Sequence, residues 1–377
     1  MPAPAALPFW LSLTLIPLAL IGATQGGWTV LLLPIYGWLL FSLMDAIAGL
    51  NPANPDPATP DSALFWHKAI TMIWFPVQFA LIFGLIWYVT RTDHLSPWEQ
   101  TGLFFGMGVV SGTIGINYAH ELMHQKSAIE RWLADLLLAM VLYSHFRSEH
   151  LRVHHLYVAT PRDAVTARYN EGFHRFFPRV LYCGPQSAWA AETAMLARKG
   201  LPPMHRSNPF WRYGALQTGF LALAWLLGGP LGLALFAGQA FVAIWQLELV
   251  NYIEHYGLTR RHLGDGRYEH VQPRHSWNAT HRVSNWLLIN LQRHSDHHFK
   301  PERRFPLLQT YPHDQAPHLP YGYPVMTAMA MVPPLWKRVM NGRVKDWRRL
   351  HYPDIADWKP YNKALNPMPR GAARVGS

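Results

Sequence analysis

Charged residues are scarce in this chain of 377 residues: only 15% are Asp, Glu, Lys or Arg, against roughly 25% in an ordinary soluble domain. Half of the residues are hydrophobic, so the composition excludes a typical soluble protein. Several apolar segments, nearly free of charge, have about the 17–25 residues that a bilayer core requires. They are 8–24, 28–47, 65–89, 101–119, 210–228 and 231–253. The sequence therefore predicts an all-α, polytopic membrane protein with about six transmembrane helices.

Cysteine is almost absent, with Cys183 as its single occurrence. A disulfide within the chain and a four-thiolate iron site are both excluded. A GxGxxG motif after a strand is also missing, because "GMGVVSG" (106–112) has the wrong spacing and lies inside an apolar segment, where small residues usually serve helix packing. The chain carries no recognisable flavin, nicotinamide or iron–sulfur module, so electrons for any redox reaction must come from another protein.

Basic residues are missing ahead of the first apolar segment, and "GATQGGW" leads directly into the second one. This pattern does not fit a cleaved signal peptide. Elsewhere cations are in excess, with a formal net charge of +11 concentrated in late stretches such as "KPERRF". Positive charge that flanks membrane spans marks the cytoplasmic side, and it can steer an acidic protein partner. We expect no nucleic-acid binding.

The histidine-rich stretches restrict the topology. If the N-terminus is cytoplasmic, segments 101–119 and 231–253 both end on the cytoplasmic side, and the histidines that follow them meet there. Segment 132–146 is short and contains an Asp, so we predict an interfacial or re-entrant helix. The predicted regions are 1–119 with four transmembrane helices, 120–209 with two histidine strings and the interfacial helix, 210–253 as a transmembrane hairpin, and 254–377 with the last histidine string and a basic tail.

Four short strings, "HELMH", "EHLRVHH", "NYIEHYGL" and "LQRHSDHH", hold nine of the 21 histidines. The nine are His120, His124, His150, His154, His155, His255, His294, His297 and His298. Residues i and i+4 share one face of a helix, and this spacing occurs at 120/124, 150/154 and 294/298. One HExxH motif is weak evidence for a metal, but burying this many polar rings without strong partners is costly. The strings therefore predict a metal site.

Nine imidazoles exceed the four ligands of a single zinc-type site and suit two adjacent ions; imidazole binds zinc, copper, iron and nickel. Each string also contains a carboxylate beside its histidines. These acids are Glu121, Glu149, Glu254 and Asp296. Ligating imidazoles usually donate their other N–H to such a group, so we expect the acids to orient the ligands, although one of them can bind metal directly. Asp163 is a weaker candidate, for which a loop role is equally consistent. The other twelve histidines, such as His67 and His205, are expected at the surface or in loops.

In this order and after four apolar segments, the strings resemble those of the integral-membrane alkane monooxygenase (alkane hydroxylase) family, most closely over 117–300. The resemblance implies a non-haem diiron enzyme that uses O2 to hydroxylate a terminal methyl group of a hydrophobic substrate, such as a medium- or long-chain n-alkane. It implies that all nine histidines ligate the two irons. It also implies electrons from a rubredoxin or ferredoxin with its NAD(P)H reductase, and a bacterial inner membrane with the site on the cytoplasmic side.

Two departures from the family pattern, Met123 and Val153 in place of glycine, leave the substrate open. "HELMH" and "HHLYVATP" also resemble the xylene (methylarene) monooxygenases, and a membrane fatty-acid desaturase or hydroxylase uses similar strings. A membrane zinc protease would use His120 and His124 as ligands and Glu121 as general base, but it leaves seven histidines unexplained. A metal carrier generally needs ionisable residues within its spans.

The substrate pocket is expected among the aromatic-rich apolar segments. The candidate lining residues are Trp38, Phe41, Trp66 and Trp74. Aromatic residues in spans are more often packing or interface anchors.

Overall fold

The computed structural model describes residues 3–363, and helices dominate this part of the chain. In chain order the helices are α1 (Pro4–Gln25), α2 (Gly27–Ala48), α3 (Asp61–Val89), α4 (Pro97–Met123), α5 (Ala128–Met140), α6 (146–157), α7 (Phe173–Ala197), α8 (Phe210–His255), α9 (Arg282–Leu287), α10 (His294–Phe299), α11 (Tyr323–Ala330) and α12 (Pro333–His351). Five of them, α1 to α4 and α8, are long and apolar enough to cross a membrane. The predicted class of helical, polytopic membrane protein is confirmed.

The described residues contain one small sheet, the antiparallel pair β1 (His262–Gly264) and β2 (Arg267–Tyr268). It lies in the region where the sequence predicts a histidine string and a basic tail. The end of that predicted tail, 364–377, lies outside the described residues.

Helix α8 reverses direction at Gly229. This glycine has a φ of 58° and breaks the helical geometry before Pro230. A Cβ atom added to Gly232 would lie 2.6 Å from the carbonyl oxygen of Ala224, eight residues earlier, so the chain doubles back. The two arms, 210–228 and 230–255, are about 28 and 39 Å long at 1.5 Å per residue. Helix α8 thus forms a helical hairpin that turns at "GGP" (228–230).

Helix α4 carries the first histidine string at its C-terminal end. It begins with a capping box in which the Ser96 hydroxyl accepts from the Glu99 N–H and the Glu99 side chain accepts from the Ser96 N–H, which satisfies two donors of the first turn. Gly108 allows close packing, because an added Cβ would lie 2.7 Å from the carbonyl oxygen of Gln239 on α8. The small residues of "GMGVVSG" therefore serve helix packing, as predicted.

Helix α5 has 13 residues, about 20 Å at 1.5 Å per residue, which is too short for a hydrocarbon core of about 30 Å. This length agrees with the prediction that 132–146 does not span the membrane. The 25-residue helix α7 was not predicted from the sequence; it contains Pro178 and Pro185 and is not among the candidate spans.

A second hydrophobic core lies beyond the end of α8. Tyr252 and Tyr256, in and just after the last turn of α8, pack against the ring of Trp336 on α12, with centroids 5.2 and 5.3 Å from it. Helix α12 is rich in Lys and Arg, but four of its five buried residues, Trp336, Met340, Val344 and Trp347, are apolar, and Arg348 is its one buried cation. The helix therefore covers this core and presents most of its charges elsewhere. This packing holds the end of α8 in place and thereby fixes the position of His255, which lies between the two tyrosines in the chain.

Candidate metal centre

All nine histidines of the four strings come together in two groups. Their possible ligand atoms lie within 4.8 Å of one another inside each group. The first group is His120, His124, His150, His155 and His297, and the second is His154, His255, His294 and His298. The groups adjoin, because the rings of His155 and His298, one from each group, have centroids 4.7 Å apart. Helices α4, α6, α8 and α10 thus contribute to one centre with two halves.

His150 is central to the five-histidine group. Its Nε2 atom lies 2.9 Å from Nε2 of His120, 3.1 Å from Nε2 of His124 and 2.9 Å from Nε2 of His155. The fifth member, His297, has its Nε2 atom 3.1 Å from that of His155. The Nε2 atoms of this group therefore converge on a small common volume.

The four-histidine group forms a chain of short contacts between Nε2 atoms. His294 lies 3.2 Å from His255 and 3.0 Å from His298, and His298 lies 3.2 Å from His154. All four side chains are buried. His294 therefore contacts two neighbours and occupies the middle of the group together with His298.

The predicted pairing of His150 with His154 on one face is wrong, because these two residues belong to different groups. The segment His150–His154 is a π-helix, in which the N–H of His155 bonds to the carbonyl of His150. A π-helix aligns residues five apart, so His150 shares a face with His155, and His154 turns toward the other group. The pairs 120/124 and 294/298 each stay within one group, as predicted.

Burial favours the neutral form of five of these imidazoles. Desolvation, together with neighbouring imidazoles such as His255, lowers the pKa of His294 well below its usual range. The same two causes lower the pKa values of other site histidines on α6 and α10, namely His150, His155, His297 and His298. Only the neutral ring can offer a lone pair to a metal ion, so the arrangement presents ligand atoms rather than charges.

Three of the four predicted orienting acids do not bond to a site histidine. Glu121 accepts from the Gln125 side chain (3.0 Å) and the Phe305 N–H (3.2 Å). Asp296 accepts from Arg303 (2.6 Å), the Tyr311 hydroxyl (2.6 Å) and the Gln309 N–H (3.0 Å). These acids fasten the strings to the loop that follows α10.

Glu149, the third of these acids, is buried, and its Oε1 atom has no hydrogen-bond partner among residues 3–363. Burial and the nearby charge of Asp163 raise its pKa well above the usual value. This environment favours the protonated, neutral form of the carboxyl group.

Asp163 fills the orienting role that the sequence indicated only weakly. Its Oδ2 atom lies 3.0 Å from Nδ1 of His154 and also accepts from the Thr166 hydroxyl at 2.7 Å. Burial alone would raise the pKa of Asp163, but His154 and the Thr166 hydrogen bond keep it below its usual value. The carboxylate thus holds Nδ1 as the donor, which leaves Nε2 of His154 free to bind an ion. Its distance of nine residues from His154 hid this role in the sequence.

Glu254 reaches the metal-facing side of the four-histidine group. Its Oε2 atom lies 3.2 Å from Nε2 of His294, and its Oε1 atom accepts from the Tyr323 hydroxyl at 2.7 Å. Tyr323 on α11 therefore fixes the carboxylate, a contact that the sequence did not reveal. Among the predicted acids, Glu254 has the position of an additional ligand.

Buried polar contacts hold the last histidine string in place. The Arg293 guanidinium donates to the carbonyls of Leu308 (2.7 Å) and Ala53 (2.9 Å), and thereby links α10 to the loop after α2. Ser295 donates its N–H to the Asn278 side chain at 2.8 Å. Because both neighbours of His294 are bonded to other segments, the backbone position of this histidine is fixed by the fold.

Of the four predicted pocket residues, Trp38 lines a large cavity. This apolar cavity of about 640 Å³ lies between α2, α8 and α11. Phe41 and Trp74 are buried in the helix core, and Trp66 is an exposed residue that packs against Trp10 with ring centroids 6.0 Å apart. The prediction that aromatics of these segments serve mainly as packing residues applies to these three.

Two of the remaining histidines are buried. The expected surface or loop position is wrong for His67 on α3, whereas His275 is a buried residue of the loop between β2 and α9. His67 packs against Phe9 and Phe305, and the Nε2 atom of His275 lies 2.8 Å from the Tyr352 hydroxyl. Neither belongs to the metal-binding groups. Burial of a histidine in this chain therefore does not by itself identify a metal ligand.

The residues present fit metal ions. Two nitrogens held by one ion at about 2.1 Å lie about 3.0 to 3.4 Å apart at octahedral or tetrahedral angles, and the Nε2 contacts described above fall at or close to this spacing. Hydrogen bonds between neighbouring neutral rings would satisfy only some of these Nε2 atoms. The Nδ1 atoms of His155, His255, His294 and His298 have no partner among the described residues, so Nε2 is the atom that each ring uses. The centre is therefore a polyhistidine metal site at one end of a bundle of membrane helices.

Comparison with known proteins agrees with this class. A family model described as fatty acid desaturase matches residues 96–329, which include all nine histidines. The chain is 40% identical over 313 residues to alkane 1-monooxygenase 2 of Pseudomonas aeruginosa, with 81% of each chain covered. It is 36% identical over 352 residues to alkane 1-monooxygenase 2 of Alcanivorax borkumensis, with 90% of each covered. The xylene/toluene monooxygenase hydroxylase component of Pseudomonas putida is 28% identical over 333 residues.

These findings identify a membrane-bound oxidoreductase with a polyhistidine metal site. Specifically, the chain belongs to the alkane 1-monooxygenase family.

Proposed function

We propose that this protein hydroxylates the terminal methyl group of a medium- or long-chain n-alkane to a primary alcohol. One atom of O2 enters the alcohol, and the other is reduced to water by two electrons from the donor and two protons. The observation that carries this proposal is the pair of adjoining histidine groups in a chain that is 40% identical to an alkane 1-monooxygenase.

The proposed cofactors are two iron ions, one held by each histidine group. Iron is favoured over zinc because zinc has no redox chemistry, whereas an oxygenase must pass electrons to O2. When bound, the two irons would supply the activation of O2. All nine histidines are the proposed ligands, and Glu254 is a further candidate in the four-histidine group because of its contact with His294.

The chain's own residues would position the ligands and exclude water. Asp163 holds the tautomer of His154, and Tyr323 holds Glu254. Seven of the nine site histidines are buried, and His124 and His155 are partly buried, so bulk water has limited access to the reacting atoms. The apolar cavity beside Trp38 offers a dry binding place for a hydrocarbon.

The proposed electron donor is a rubredoxin or ferredoxin with its NAD(P)H reductase. A donor is required because the chain has one cysteine and no recognisable redox module of its own. A cleft of about 650 Å³ opens beside His124, and cationic side chains outnumber acidic ones in its lining. The cations are Lys68, Lys126, Lys300, Arg303 and Arg304, and the acids are Asp61, Glu130 and Glu302. This excess of positive charge supports approach of an acidic donor on this side. We propose that this side faces the cytoplasm and that the protein resides in the bacterial inner membrane.

Turnover by the purified protein in lipid nanodiscs tests the proposal. With rubredoxin, its reductase and NADH, we expect 1-octanol from n-octane, and we expect no product when O2 or the reductant is omitted. Octane is expected to be a better substrate than p-xylene. A desaturated product from a fatty acyl chain, or product formation without O2, would contradict the proposed reaction.

A methylarene side-chain monooxygenase is the second candidate, favoured by the similarity to the xylene/toluene enzyme component. The octane and p-xylene assays separate the two. The zinc protease has no support from the geometry, because Glu121, its required general base, bonds to Gln125 and the backbone of Phe305.

A further inference from the structure

Two cavities approach the metal centre from the membrane helices. The smaller one, about 50 Å³, is bordered by His120, His150 and His294. The larger one is the apolar cavity of about 640 Å³ beside Trp38. Pockets that enclose whole organic ligands are roughly 300–1,000 Å³, so the small cavity has room only for the end of a substrate and the large one has room for its chain.

Gln246 on α8 lines both cavities. Its side chain is 91% buried, and its Nε2 atom donates to the hydroxyl of Thr113 on α4. Helices α4 and α8 are close here, because a Cβ added to Gly112 would lie 3.2 Å from Cβ of Gln246. The Gln246 amide is therefore held where α4 and α8 approach each other closely. Its Oε1 atom has no hydrogen-bond partner among residues 3–363.

We propose that Gln246 forms the constriction between the two cavities and restricts access to the metal centre to the end of an unbranched chain. The hydrocarbon chain lies in the large cavity, and its terminal methyl group passes Gln246 to reach the histidines. This inference rests on the proposed function and adds its selectivity: a linear alkyl end passes, and an aromatic ring is held back.

Two substitutions act on this constriction in opposite directions. Gln246→Ala removes the side chain beyond Cβ, so the ratio of p-xylene to octane turnover is expected to rise about tenfold, a size typical of pocket discrimination. Gln246→Phe fills the opening, so turnover of octane is expected to fall more than about tenfold while the iron content stays at the wild-type level. The matched control is Leu226→Phe, which adds a ring to an exposed position of the same helix and should change neither value.

A cryo-EM map of the protein with dodecane gives a result that does not depend on turnover. We expect density for the chain in the large cavity, with one end beside Gln246. Dodecane density that reaches the histidines by another route would overturn the inference, as would an unchanged p-xylene-to-octane ratio in Gln246→Ala. Wild-type protein that binds dodecane at Gln246 but forms no octanol would contradict the proposed reaction and leave the constriction supported.

Discussion

Replacing His294 by alanine is expected to lower octane hydroxylation more than about 100-fold, because even residues that only orient metal ligands typically cost 10–100-fold when changed. The Nε2 atom of His294 lies close to three other atoms that can bind a metal ion: Nε2 of His255 (3.2 Å), Nε2 of His298 (3.0 Å) and Oε2 of Glu254 (3.2 Å). The substitution therefore removes a proposed ligand from the middle of the four-histidine group. Octanol formation and iron content, measured on the same preparation, check this prediction.

The iron content of the His294→Ala variant should fall to about half, since only the four-histidine group is damaged. Membrane insertion should be unchanged, because His294 lies outside the candidate spans. His205→Ala is the matched control: this histidine bonds to nearby Ser207 and lies outside both groups. A His294→Ala variant that hydroxylates octane at the wild-type rate would show that the four-histidine group is not part of the active site.

Replacing Asp163 by asparagine is expected to lower the affinity for iron about 10–100-fold. The Oδ2 atom of Asp163 accepts from Nδ1 of His154 and from the Thr166 hydroxyl. An amide NH2 at this position cannot accept either hydrogen bond, so His154 loses its fixed tautomer and orientation. Titration of the variant with a chelator, followed by iron analysis, measures the change in affinity.

A purely structural role for Asp163 would lower thermal stability without a selective loss of metal. Mössbauer spectra of 57Fe-loaded protein separate these roles: we expect altered parameters for one iron, the one bound by the His154 group, and unchanged parameters for the other. Asp354→Asn, in an exposed ion pair with Arg261, is the control. Wild-type iron affinity and spectra in Asp163→Asn would contradict the orienting role.

The sequence was sufficient to predict the histidine cluster and the helical membrane class. Apolar length predicts candidate spans because the bilayer thickness sets it, and "GGP" marks the reversal at Gly229. Helix α7 was missed because its internal Pro178 and Pro185 indicate helix ends, although its buried residues recur every three or four positions. Sequence patterns therefore predict the membrane-spanning helices more reliably than helices such as α7, whose positions depend on tertiary packing.

The assignment of individual histidines to ions was beyond the sequence. The i,i+4 rule assumes an α-helix, and the π-helical turn at His150–His154 transfers His154 to the other group. Carboxylates adjacent in sequence were the expected ligand partners, but Asp163 meets His154 only because the chain returns after α6. Neighbours in the chain point away from one another on a helix, so adjacency was a poor guide to contact.

Metal analysis of the purified protein, with octane turnover measured on the same sample, tests the central claim most directly. We expect one iron per histidine group, about two per chain, together with 1-octanol formation that requires O2 and a reductant. One zinc per chain without oxygen-dependent product would contradict it.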